Sequence, residues 1–270
     1  MPPGTFIVLT LTPVQYGLGA VSGTLVGFTL GLVGGGGSIL AVPLMIYLVG
    51  VRDPHVAIGT SAFAVAANAV TGLANHARQH TVKWRCGGIY AGAGIIGAIA
   101  GSTIGKHFDG QKLLFLFALL MLVVGILLLR GRHNAGSVGA QCNAGNAWKV
   151  VSFGAGTGVF SGFFGIGGGF LIVPGLIGST GMPILNAVGT SLVAVAAFGL
   201  TTSFNYALSN LVDWALAFAF IGGGIVGSVG GTRLATLLAG RTGRLSIAFA
   251  VLIFIVAGYM LWRGEGAPGA

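Results

Sequence analysis

Runs of about 20 apolar residues follow one another along nearly the whole chain, and this is the length that an α-helix needs to cross a lipid bilayer. Only 6% of the 270 residues are charged, whereas soluble domains carry about 25%. The formal net charge of +9 does not indicate nucleic-acid binding, because almost no polar surface remains to carry a basic patch. The sequence therefore predicts an all-α polytopic membrane protein and excludes a water-soluble fold.

Two glycine-rich blocks of similar sequence interrupt these runs, at residues 31–43 and 162–174. When Pro43 is aligned with Pro174, four glycines of the first block fall on four glycines of the second. Each block opens a short apolar segment that is too short for a full crossing, so we predict broken or re-entrant helices there. Gly-interrupted segments at matching positions of two halves are the best sequence indicator of a transporter's substrate site.

The two halves also match outside the glycine blocks, at an offset of about 130 residues. The tripeptide Gly-Thr-Ser at residues 59–61 reappears at residues 189–191, and Asn75 falls on Asn205. A duplication of this size is typical of a pseudo-symmetric transporter or channel. The predicted divisions are an N-terminal repeat at residues 1–132, a cytoplasmic linker at 133–147 and a C-terminal repeat at 148–270.

The basic residues predict how the chain is oriented in the membrane. With about five membrane segments per repeat, nine of the 13 Lys and Arg residues lie on one side, which the positive-inside rule places in the cytoplasm. Both termini are then periplasmic, and the odd number of segments makes the two repeats inverted relative to each other. Four crossings per repeat would remove this bias. The nine residues are Arg78, Lys83, Arg85, Arg130, Arg132, Lys149, Arg233, Arg241 and Arg244.

The positions of the acidic residues indicate the charge of the substrate. All four fall in predicted loops or the tail: Asp53, Asp109, Asp213 and Glu265. Cation transporters and most proton pumps place carboxylates within the membrane. Backbone N–H groups at helix N-termini, hydroxyls and amides bind anions instead, so we predict a small anionic substrate.

The predicted substrate site combines the two breaks with polar side chains from the helices that follow them. The backbone amides are those of Gly36, Gly37, Ser38, Gly168 and Gly169. The side chains are those of Thr60, Ser61, Thr190, Ser191, Asn75 and Asn205. Two alternatives stay open, because the hydroxyls could bond back to helix carbonyls and the asparagines could join neighbouring helices. The polar stripe of the first repeat also includes Asn68, which Phe198 replaces in the second.

The sequence offers one candidate for proton coupling and no residues for catalysis or metal binding within the apolar runs. His76, beside Asn75, is the candidate for carrying a coupling proton. Two cysteines are too few for a disulfide framework, so Cys86 and Cys142 are predicted to be free thiols. No catalytic or metal-ligand cluster falls within the apolar runs, and the glycine blocks lack the acidic residue of a dinucleotide site. We therefore predict no enzyme activity, no metal and no cofactor.

The paired glycine blocks leading into Val-Pro, each followed by Gly-Thr-Ser, resemble the TauE/SafE sulfite-exporter family, and the resemblance covers about residues 14–263. It implies a permease of the bacterial inner membrane that moves sulfite, sulfonates or related sulfur-containing anions. In combination with the repeats, it favours alternating access. An anion-selective channel of similar architecture is the second interpretation, and assembly as a homo-oligomer stays open.

Overall fold

The computed structural model describes residues 11–130, 142–165, 169–237 and 242–265, and these form helices joined by short turns, with no strand among them. Four of the described helices are long and apolar enough to cross a membrane: Pro54–Arg78, Trp84–His107, Ile184–Ala207 and Trp214–Gly231. In chain order the elements are α1 (Pro13–Val33), a 3-10 helix (Gly34–Leu40), α2 (Ala41–Pro43), a π-helix (Leu44–Leu48), α3 (Pro54–Arg78), α4 (Trp84–His107), α5 (Gly110–Arg130), α6 (Ala144–Phe164), α7 (Gly169–Thr180), α8 (Ile184–Ala207), α9 (Trp214–Leu237) and α10 (Thr242–Glu265).

Local sequence explains several helix boundaries. The Asp53 carboxylate accepts a hydrogen bond from the backbone N–H of His55 at 2.8 Å, and Pro54 occupies the first position of α3. Asp53 therefore caps α3, and Pro54 fits its first position because proline needs no partner for its nitrogen there. At its C-terminus, α6 ends at Phe164 and is followed by Gly165, whose φ of 67° is left-handed. Glycine adopts this conformation without steric cost.

The two glycine blocks form breaks of different geometry. In the first repeat, α1 passes directly into the 3-10 helix, a single α turn and the π-helix, so residues 34–48 stay helical while changing pitch. In the second repeat, the chain breaks after α6 and restarts as α7 at Gly169. Gly168 lies outside the described residues, as do residues 133–141 of the predicted linker. Helix α6 begins at Ala144, within the last residues of the predicted linker.

Glycines allow two helix pairs to pack backbone against backbone. A Cβ atom at Gly23 or Gly27 of α1 would collide with the carbonyl oxygen of Phe220 or Gly224 of α9. The corresponding glycines of α6 pack in the same way against α4. Both pairs are parallel, because successive contacts advance along both helices. Small residues at such positions let membrane helices approach closely.

The central pair, α3 and α8, is antiparallel. Gly59, near the start of α3, lies against Tyr206 and Leu211 at the end of α8, while Gly189, near the start of α8, lies against His76 at the end of α3. We call the end of the bundle where α3 begins the first face, and the end where α8 begins the second face. Helix α5 packs against α10 beside this centre.

The prediction of free thiols is wrong, because Cys86 and Cys142 form a disulfide with Cα atoms 5.5 Å apart. Cys86 lies in the first turn of α4, and Cys142 lies two residues before α6. The parallel packing of α4 and α6 brings their first turns together, so residues separated by 56 positions meet. A count of two cysteines cannot reveal this proximity.

Candidate functional site

The break in the first repeat lies against the second repeat. The 3-10 helix contacts both α7 and α8, so the two broken segments lie against each other. Gly37 is buried, and a Cβ there would collide with the backbone of Leu30 and Thr29 of α1. Gly36 and Ser38 belong to the same 3-10 helix, and Gly169 is the first residue of α7. Glycine is therefore required at position 37 for the chain to fold back, whatever else its amide does.

At the first face, the Gly-Thr-Ser tripeptide of the first repeat holds the start of α9. The hydroxyl oxygen of Thr60 accepts a hydrogen bond from the backbone N–H of Asp213 at 2.9 Å. Thr60 is fully buried, and Asp213 directly precedes the first residue of α9. Gly59 lets this contact form, because a Cβ at that position would collide with the Leu211 carbonyl oxygen. The N-terminal amides of a helix have no intrahelical partner, so an outside acceptor stabilises them.

At the second face, the equivalent residues make the same contact with the repeats exchanged. The hydroxyl oxygen of Thr190 accepts a hydrogen bond from the backbone N–H of Lys83, which precedes α4, at 2.9 Å. Gly189 lies beside His76 and Thr81, and the Asn186 side chain donates to the Thr81 carbonyl at 2.9 Å. We call these two bonds, Thr60–Asp213 and Thr190–Lys83, the threonine clasps. Each joins the two repeats at one face.

The serines of the two Gly-Thr-Ser tripeptides do not join the two repeats in the way that the threonines do. The hydroxyls of Ser61 and Ser191 donate to the carbonyls of Ile58 and Val188 within their own helices, at 3.1 and 2.7 Å. These bonds correspond to the alternative role that the sequence left open. They do not exclude a further contact through the hydroxyl lone pairs.

Asn205 joins α8 to α4 at the first face. Its amide nitrogen donates to the hydroxyls of Ser102 and Thr103 at 2.6 and 3.0 Å. Its amide oxygen accepts from the Lys106 ammonium at 2.8 Å, and the same ammonium donates to the Asn205 carbonyl and to Ser209. This geometry corresponds to the role of joining helices.

The equivalent pair of the first repeat, Asn75 and His76, lies at the second face. Asn75 is half-buried near the end of α3. The His76 ring nitrogen Nδ1 is 2.9 Å from the Thr81 hydroxyl, and the ring also lies close to Gly189. A titratable ring is therefore in contact with the region of the second clasp.

The predicted side chains thus occupy two levels of the bundle. Thr60, Ser61 and Asn205 gather at the first face, and Thr190, Ser191, Asn75 and His76 gather at the second. The 15 residues from Thr60 to Asn75 span about 22 Å of helix. The broken segments of the two repeats, the 3-10 helix and α7, contact each other and also contact α8. The described residues contain no cluster of His, Cys, Asp or Glu that could hold a metal ion.

One polar residue that was not included in the predicted site lies between these two levels. Asn68, near the middle of α3, is 1% exposed, and neither its amide nitrogen nor its amide oxygen has a hydrogen-bond partner in the described part of the chain. Its carboxamide lies against Gly224 of α9. Phe198, at the matching position of α8, lies against Gly94 of α4 and stacks on Tyr90 with ring centroids 6.5 Å apart. The replacement of Asn68 by Phe198 is the sequence feature that distinguishes this position between the repeats.

Comparison with known proteins gives one family and several relatives. The family model described as "Sulfite exporter TauE/SafE" matches residues 19–260. A "Probable membrane transporter protein" of Xylella fastidiosa (strain 9a5c) is 53% identical over 248 residues, covering 90% of this chain and 93% of the relative. The "Probable membrane transporter protein YdhB" of Bacillus subtilis (strain 168) is 27% identical over 221 residues, covering 79% and 88%. A "Probable membrane transporter protein MJ0441" of Methanocaldococcus jannaschii is 26% identical over 201 residues, covering 69% and 72%. No solved structure matches the chain.

Proposed function

We propose a function for this chain, which belongs to the TauE/SafE sulfite exporter family. It is a secondary transporter for a small sulfur-containing anion such as sulfite or an organosulfonate. Two inverted repeats would expose the substrate site to one side of the bacterial inner membrane and then to the other. The observation that carries this proposal is the reciprocal pair of threonine clasps. One hydrogen bond joins the repeats at each face, so one face can open while the other stays closed.

The charge distribution supports an anionic substrate. Three of the acidic residues, Asp53, Asp109 and Asp213, precede helices and accept backbone hydrogen bonds there. The fourth, Glu265, is the last residue of α10. None of them lies in the interior of a described helix, where a carboxylate would repel an anion.

The basic residues at the second face attract anions and also predict how the chain is oriented in the membrane. Arg78, Lys83 and Arg85 surround the turn between α3 and α4. A basic surface around an entrance raises the local concentration of anions and their rate of association. The positive-inside rule places this face in the cytoplasm and both termini in the periplasm.

A flux assay in liposomes tests the proposal. Purified protein is reconstituted, and uptake of sulfite, thiosulfate, sulfoacetate and taurine is measured with and without a pH gradient. A transporter gives saturable uptake of at least one anion and exchange of internal for external substrate. Uptake that rises linearly with concentration and shows no exchange would indicate a channel, and the absence of flux for every compound would reject the proposed substrate class.

A further inference from the structure

Asn68 is a fully buried polar side chain near the middle of α3. It lies at the boundary between α3 and the α1–α9 pair, against Gly224, whose carbonyl oxygen in turn abuts Gly27. Its two amide atoms are buried without a hydrogen-bond partner among the described residues. An unpaired buried amide costs free energy, and within a membrane no bulk water is available to compensate it.

The second repeat demonstrates that packing does not require a polar group at this position. Phe198 fills the equivalent space between α8 and α4, against Gly94, and is fully buried. The same backbone arrangement therefore accepts an apolar side chain. The first repeat keeps a carboxamide at a cost to stability, and a polar group retained at such a cost within a membrane bundle indicates a functional role.

We propose that Asn68 binds the transported anion directly, donating from its amide nitrogen to a charged oxygen of the substrate. This inference rests on the proposed function. A hydrogen bond to a charged oxygen is stronger than one between neutral groups, and a neutral amide can release the anion again. Occupation of the site satisfies the amide that the substrate-free protein leaves unpaired.

The surroundings of Asn68 limit what can bind there. Gly224 faces it from α9, and the α1–α9 pair packs backbone to backbone. If this pair moves as one unit, a small displacement from α3 opens a space beside Asn68 whose wall at Gly224 is backbone. Such a space suits a compact oxyanion such as sulfite or the sulfonate group of a small organic acid. Binding is asymmetric, because Phe198 offers no equivalent donor.

The central test is Asn68→Leu, which keeps a similar volume and removes both polar atoms. We expect KM for the anion to rise about 10- to 100-fold, while the thermal midpoint of the substrate-free protein in detergent rises by about 2–4 °C. Substrate should raise the midpoint of the wild-type protein but not that of the variant. The matched control, Phe198→Leu, should lower the midpoint and leave KM within about threefold of wild type.

A cysteine-accessibility measurement tests the site independently of which anion is carried. In a Cys86→Ala/Cys142→Ala background, Asn68→Cys should react with an anionic, membrane-impermeant methanethiosulfonate reagent. Ala66→Cys, on the same helix but packed against Gly199 of α8, should not react.

The outcomes separate this inference from the proposed function. A lower midpoint for Asn68→Leu with an unchanged KM would assign Asn68 a structural role and overturn the inference. Failure of the wild-type protein to transport any tested anion would count against the proposed function alone. In that case, reaction at position 68 still supports a solute site there, and no reaction at position 68 overturns it.

Discussion

Breaking one threonine clasp should shift the protein towards opening at that face. Thr60→Val keeps the shape of the side chain but removes the oxygen that accepts the Asp213 amide at 2.9 Å. Loss of a buried partner for a backbone N–H costs about 1–3 kcal/mol. At about 1.4 kcal/mol, the ratio of the two conformations changes about tenfold. Only the conformation with a closed first face loses this stabilisation, so the first-face-open conformation gains population.

Hydrogen–deuterium exchange at the opposite clasp measures this shift. When the first face is open, alternating access requires the second face to be closed, and the Lys83 amide is then bonded to Thr190. In Thr60→Val we therefore expect exchange of the Lys83 amide to slow by up to about tenfold. Thr190→Val is the matched control, in which the Asp213 amide should slow instead.

The direction of the change at the distant clasp decides the outcome. Faster exchange at Lys83 in Thr60→Val would mean that the variant is simply less stable. No change would mean that the two faces open independently, as in a channel. Either result would refute the coupling between the clasps.

Three further predictions concern packing, proton coupling and orientation. Gly27→Ala should lower the free energy of unfolding by about 1–3 kcal/mol, because its methyl group would collide with the α9 backbone. Gly17→Ala, with nothing within 4 Å of its added Cβ, should instead raise the free energy of unfolding by up to about 1 kcal/mol. Thermal denaturation in detergent compares the two variants, and equal shifts would contradict the packing. His76→Gln should flatten the pH dependence of flux, since glutamine cannot titrate, and an unchanged pH profile would assign coupling elsewhere. The turn between α3 and α4 lies at the face that the positive-inside rule places in the cytoplasm. In a Cys86→Ala/Cys142→Ala background, Gln79→Cys in this exposed turn should therefore be protected from a membrane-impermeant thiol reagent in intact cells. Labelling there would reverse the predicted orientation.

The sequence alone determined the features that depend on a few neighbouring residues. Bilayer-length apolar runs became helices because burying a backbone in lipid requires every amide to be bonded within its own segment. The cap at Asp53 was predictable because its partner, the amide of His55, lies two residues away. The correspondence between repeats was visible because duplication leaves matching residues at a constant offset.

The tertiary structure decided the roles of the matching residues. Thr60 and Thr190 bond to backbone amides 153 and 107 residues away, so only the antiparallel packing of α3 and α8 brings donor and acceptor together. The disulfide depends in the same way on the register of α4 against α6. The unpaired amide of Asn68 is also a tertiary property, because hydrophobic periodicity specifies which residues are buried but not whether a buried polar group finds a partner.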